Sequence, residues 1–143
     1  MSKNRGKRKT KGSKGFNRKN TEEFLSRNRT KPGVAETVSG LQYLVIEDAQ
    51  GSRPTENSIV EVQQRISLVD GTIIADTYKQ TEPARFTLAE AIEGYREGLL
   101  MMSRGARYRF FIPPDLGWGK RGAGNKIGPN AVLIIDARLI SIA

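Results

Sequence analysis

Apolar residues fall along this chain in short runs of strand length, with one stretch of helical period set among them. Residues 41–47, LQYLVIE, have the length and β-branched content of a strand. In residues 58–68, SIVEVQQRISL, Ile59, Val60 and Val62, then Ile66 and Leu68, also favour a strand. Asp70-Gly71 follows at once and signals a hairpin, so residues 72–78 are expected to return as the partner strand. Pro83 precedes a short strand, ARFTL, at 84–88. Residues 106–112, ARYRFFI, set Arg107 and Arg109 against Tyr108 and Phe110, which predicts a strand with one wet face. A last strand is expected over 131–142.

The helical stretch is residues 88–102, LAEAIEGYREGLLMM. Leu88, Ala91, Ile92, Tyr95, Leu99 and Met102 share one stripe, while Glu90, Glu93 and Arg96 take the other face. Gly94 and Gly98 each weaken such a helix by about 1 kcal/mol relative to Ala, which implies close packing against a neighbour. Thr87 is the expected cap and Gly105 the stop. A short leading helix is predicted at 21–28, with Thr21 as N-cap and Glu22 and Glu23 in its first turn. Lys31-Pro32-Gly33 breaks it.

Residues 113–130 are rich in Gly and Pro and carry the single tryptophan, Trp118. A long loop inside a compact domain usually serves function or is disordered. Strands, one helix, then strands again predict an α+β domain: an antiparallel sheet covering one helix.

Composition narrows the chemistry. The 143 residues include no His and no Cys. A His or Cys metal centre, a disulfide framework, a thiol nucleophile and a Ser-His-Asp triad are therefore excluded. The net charge of +9 is unevenly placed. Residues 1–20 hold nine Lys/Arg and no acid, which leaves fifteen bases against fifteen acids in the rest. A neutral domain at 21–143, opening with a helix and linker over 21–40, thus carries a cationic arm. With Phe16 as its one aromatic and no aliphatic residue after Met1, the arm is expected to be disordered. Its charge suits weak contact with RNA, ribosome or DNA; a solubilising extension is the alternative. No apolar core of a secretory signal follows the charges, and no run approaches the roughly 20 apolar residues of a membrane span, so a cytoplasmic protein without membrane contact is expected. Lys120, Arg121 and Lys126 extend the cationic surface or merely solvate their loop.

Four ordered segments resemble the bacterial FKBP-type peptidyl-prolyl isomerases, in particular the domains related to macrophage-infectivity potentiator. FLSRN…GVAETVSGLQYLVI is similar to their opening, and VDGTIIADTY to the hairpin usually written DGT-x-F-D-S-S-Y. AIEGYREGLLMMSRGARYRFFIPPDLGWG resembles VIPGWxEGLQLMxxGxKxRFxIPxxLAYG, and RGAGNKIGPNAVLIIDARLISI the closing loop and strand. The resemblance implies a twisted antiparallel sheet of five or six strands around one amphipathic helix. It also implies an apolar pocket between them that takes proline-containing polypeptides, with no metal or cofactor. Its bacterial members often dimerise through a long N-terminal helical region. The short basic arm stands in that place here, so a monomer is expected.

Position by position, the resemblance puts Tyr95, Trp118, Asp76 and Ile127 at the catalytic wall. Gln64, Ile74, Phe86, Ile92 and Ile135 are its substrate-binding positions. Several differ from the family pattern. Gln64 replaces a Tyr, Ile74 a Phe, Ala75 an Asp, Tyr95 a Trp, Trp118 a Tyr, and Ile135 an aromatic; Gly128-Pro129 replaces a Pro pair. Asp76 adjoins the missing Asp, but one position along a strand points to the other face unless the strand bulges or ends there. Two functions remain open: an isomerase with a remodelled pocket, or a catalytically weak FKBP-like module whose arm binds nucleic acid or ribosome. Weak binding of the family's macrolide ligands is expected in either case. Each site residue also fits plain packing, Tyr95 because it lies on the apolar stripe, and Trp118 as a pin for its loop.

Overall fold

The computed structural model describes residues 14–80, 82–119, 122–124 and 127–143. Seven strands form one antiparallel sheet: β1 (Val34–Glu36), β2 (Gln42–Glu47), β3 (Ile59–Leu68), β4 (Ile73–Asp76), β5 (Ala84–Thr87), β6 (Arg107–Ile112) and β7 (Leu133–Ile142). Their order is β1-β2-β6-β7-β3-β4, with β5 also pairing with β3. The strand beyond the expected set is β1, three residues that pair with β2. Strand β3 pairs with β7 along its length, while its other edge is shared: Ile59–Val62 pairs with β5 and Arg65–Ser67 with β4.

Alternation sorts the side chains to two faces. Phe110, Ile112, Leu133, Ile135, Val60 and Val62 are buried on the inner face. Against it lies α2 (Glu93–Leu100). A methyl added at Gly98 would land on the Phe110 ring, and one at Gly94 would come within 2.7 Å of Ile112 Cγ2. That contact is the close approach the two glycines imply.

The helix is shorter than its stripe. Residues Leu88–Glu90 form a 3-10 turn instead, and Ala91 and Ile92 are extended (ψ 156° and 154°) before α2 begins. The Leu88 amide donates to the Ser58 carbonyl at 2.8 Å, which ties the start of the stripe to the strand layer. Leu88 is still fully buried, because the turn delivers it to the same core. Thr87 occupies the cap position of that turn without a side-chain capping bond.

On the outer face lies α1 (Lys14–Asn28). It starts seven residues before the expected Thr21, within the stretch read as the arm; residues 1–13 lie outside those described. Thr21 is therefore not an N-cap. It is buried within the helix, and its hydroxyl donates to the carbonyl of Asn130. Further along, Asn28 donates to Gln42 Oε1 (2.8 Å), and Gln42 Nε2 donates to the Leu25 carbonyl (3.0 Å). The Phe24 and Phe111 rings meet at 6.2 Å. Polar docking of this kind leaves no apolar periodicity to read.

Candidate active site

The inner face does not close completely over α2. A hollow of about 250 Å³ remains, lined by Gln64 and Ile66 of β3, Phe86 of β5, Ala91 and Ile92 before α2, Tyr95, Trp118, Leu133 and Ile135, with Glu90 beside them. Its position follows from the break at Ala91-Ile92. Both residues of this extended pair line the hollow. The Ile92 amide N–H has no hydrogen-bond acceptor among the described residues, while its carbonyl accepts from Arg96.

Tyr95 is only 5% exposed. Its ring lies 5.8 Å from that of Phe86 and meets Phe110 edge-on at 6.1 Å. Its hydroxyl donates to Gln64 Oε1 at 2.7 Å. Burial, with Tyr78 and Asp136 adding to it, holds this phenol protonated far above its ordinary range. Trp118 is 41% exposed, so it stands at the mouth. Its loop is ordered by backbone bonds: Gly119 donates to Pro114 (2.7 Å), Asn130 to Gly119 (2.8 Å), and Ala123 and Ile127 pair reciprocally.

Six of the nine residues singled out from the sequence meet at the hollow: Tyr95, Trp118, Gln64, Phe86, Ile92 and Ile135. Ile127, Ile74 and Asp76 do not line it. Ile127 is buried in the core instead and forms a bridge with Ala123. Ile74 falls at the register shift between Ile66 and Ser67 and packs against the core from there. Asp76 is the strand-end case. The strand does bulge and does end, yet Asp76 pairs with Arg65 on the outer face (3.0 Å) and caps the next turn by accepting from the Tyr78 amide (3.1 Å). Ile66, Ala91, Glu90 and Leu133 line the hollow without having been singled out. The two-residue alternation that makes Gln64 face inward could have found Ile66. Lys120, Arg121 and Lys126 lie outside the described residues.

No group of three or more metal-ligating side chains occurs among the described residues. The apparatus is aromatic and aliphatic walls, one amide–phenol pair at the floor and a free backbone donor at the rim. An antiparallel sheet wrapped over one short helix, with a mostly apolar hollow between them, defines the fold and the candidate site.

Comparison with known proteins agrees. The family model described as "FKBP-type peptidyl-prolyl cis-trans isomerase" matches residues 50–140, and that of the domain amino-terminal to it matches residues 1–45. The chain belongs to the FKBP-type peptidyl-prolyl cis-trans isomerase family. It is 39% identical over 126 residues to the probable FKBP-type isomerase FkpA of Neisseria meningitidis, covering 88% of this chain and 46% of that protein. To the isomerase Mip of Coxiella burnetii it is 40% identical, covering 88% and 55%. The chain thus spans about half the length of the curated relatives it matches. A crystal structure of a peptidyl-prolyl isomerase from Pseudomonas syringae pv. tomato superposes with a TM-score of 0.86 at 31% identity, covering 94% of this chain and 99% of that one.

Proposed function

We propose that this chain catalyses cis–trans rotation about X–Pro bonds in extended or unfolded polypeptides, and so assists their folding. The observation that carries this reading is that Tyr95 and Trp118, far apart in sequence, wall the same apolar hollow with Phe86 and Ile92. Rotation about the bond meets a barrier of about 18–20 kcal/mol because it breaks amide resonance. No covalent bond forms, so no nucleophile or metal is needed. Withdrawing the carbonyl from water disfavours the polar planar resonance form, and walls that fit the twisted amide better than either planar one lower the barrier. The free amide of Ile92 offers a substrate carbonyl a fixed donor at the rim.

The departures at Gln64 and Ala75 alter the hydrogen-bonded wall that the family pattern implies, and a rate below that usual for the family is part of the reading. So are a monomeric state, a cytoplasmic location and weak polyanion contact through residues 1–20, whose nine bases are the support for that contact. The test is proton exchange spectroscopy on a short prolyl peptide. Micromolar protein is expected to speed cis–trans exchange, and an unchanged exchange rate rejects the isomerase. Removal of residues 1–13, which carry six of the nine bases and leave α1 whole, is expected to weaken salt-dependent RNA binding sharply while leaving isomerisation intact.

A further inference from the structure

The floor of the hollow holds a polar group whose capacity is half used. Gln64 lines the hollow, and its Oε1 accepts from the buried Tyr95 hydroxyl at 2.7 Å. That phenol has no other acceptor among the described residues, so its proton fixes the amide oxygen on the tyrosine side. Gln64 Nε2, with two N–H donors, has no partner among the described residues. The residue is held at both ends. Its backbone amide donates to Thr77 Oγ1 at 2.8 Å, and that hydroxyl in turn donates to Gln63 Oε1 at 2.7 Å. Strand β4 has ended at Asp76, which is why a side chain rather than a strand carbonyl meets this amide. Gln64 is only half-buried, so solvent meets this donor until a ligand fills the space among Ile66, Phe86, Leu133 and Ile135 and takes over the bond.

We propose that Gln64 Nε2 donates a hydrogen bond to the prolyl nitrogen as the X–Pro bond twists, making Gln64 a catalytic residue and Tyr95 the group that positions it. The inference rests on the isomerase reading. In a planar amide the nitrogen lone pair is delocalised and accepts poorly. Rotation localises that pair, the nitrogen becomes an acceptor, and the bond to Gln64 strengthens only then. No proton is transferred. Stabilisation confined to the twisted state raises kcat without tightening substrate binding.

The experiment compares kcat and KM of the full chain on an Ala-Leu-Pro-Phe peptide for wild type, Gln64→Glu, Gln64→Met and Tyr95→Phe. Glutamate still accepts from Tyr95, so the floor stays paired while the donor is lost; methionine removes both functions at similar size. Both Gln64 variants are expected to lose about tenfold in kcat, equivalent to about 1.4 kcal/mol, with KM within twofold. Tyr95→Phe, which releases the amide, is expected to lose about threefold in kcat. The Gln64 side-chain amide resonances of the wild type are expected to shift on saturation with the peptide. An unchanged kcat in Gln64→Glu, a loss confined to KM, or unshifted resonances overturns the proposal while the enzyme stands. A wild type that does not accelerate exchange removes the isomerase reading itself, and this role with it.

Discussion

The two faces of one sheet carry two cavities of opposite character. Under α1, the outer face holds a groove of about 550 Å³ lined by Phe24, Leu44, Phe111 and Ile134, with Arg65, Arg109 and Asp136 among them. The hollow on the inner face has less than half that volume. The outer polar groups satisfy one another. Asp136 accepts from Arg107 (2.9 and 3.1 Å), Arg109 (3.1 Å) and Tyr78 (3.0 Å). Burial pushes its carboxyl up, but these bonds outweigh burial and hold it below the usual range. Inside, few polar groups are present, and Gln64 Nε2 and the Ile92 amide lack partners among the described residues. Size is therefore a poor guide to the site. Open hydrogen-bonding capacity within apolar walls is the better one, because a substrate can complete it as it displaces solvent.

Two adjacent residues of β6 give the largest expected contrast. Phe110 is fully buried inside, against Tyr95 and beneath Gly98, whereas Phe111 faces the outer groove beside Phe24. Phe110→Ala should lower stability by about 3–5 kcal/mol, the range for a large buried aromatic. Phe111→Ala should cost about half as much, since the groove is already open beside it. Urea unfolding of the two variants measures the difference, and equal losses would erase the distinction between a packed face and an open one.

Asp136→Asn sharpens the outer half of the comparison. It weakens the anchor of two arginines and a tyrosine and should cost about 2 kcal/mol. Arg107 and Arg109 are 34% and 40% exposed and can turn to water, which keeps the loss below that of a fully buried pair. The sign with pH follows from the depressed carboxyl. Its stabilisation is full above the unfolded value of about 3.9 and is lost as pH falls through the lower folded value. Wild type should therefore lose margin below about pH 4, and the variant should lose less there. Isomerisation should remain within twofold, because this network faces away from the hollow.

Trp118→Ala tests the inner half with little structural cost. The ring is 41% exposed, so stability should change by no more than about 0.5 kcal/mol. Loss of one aromatic wall should lower kcat/KM about tenfold, near the upper end of a single aromatic contact. Peptide exchange kinetics beside a urea curve separate the two effects. A folded variant of undiminished rate would leave Trp118 as a pin for its loop.

Much of this arrangement is legible in the chain itself. Alternation and the Asp70-Gly71 turn place the β3–β4 hairpin, and the turn forms with Gly71 at φ 94°. Gly94 and Gly98 announce a close contact before their neighbours are known. What escapes has physical reasons. The helical stripe at 88–102 is real as a set of core-facing positions, but the extended Ala91-Ile92 pair splits it into a 3-10 turn and α2. Helix α1 docks through Thr21 and Asn28, polar residues whose partners lie 109 and 14 positions away. Ile74 and Ile127, assigned by the resemblance, do not line the hollow: one sits at a register shift and the other is buried beside Ala123.

Asp76 is the residue on which the sidedness of the sheet can be broken most cleanly. Its neighbour Ala75 pairs with Ile66, which lines the hollow, whereas Asp76 pairs with Arg65, which lines the outer groove. The carboxylate serves a half-exposed arginine and one turn amide. An exposed ion pair contributes little, and losing a cap of this kind costs about 1 kcal/mol. Asp76→Ala should therefore cost about 1 kcal/mol in stability and leave kcat/KM within twofold. A tenfold fall in rate with a normal urea midpoint would mean that the carboxylate reaches the substrate. The strand end would then have to turn Asp76 toward the inner face in solution, and the hollow would gain the acid that Ala75 does not supply.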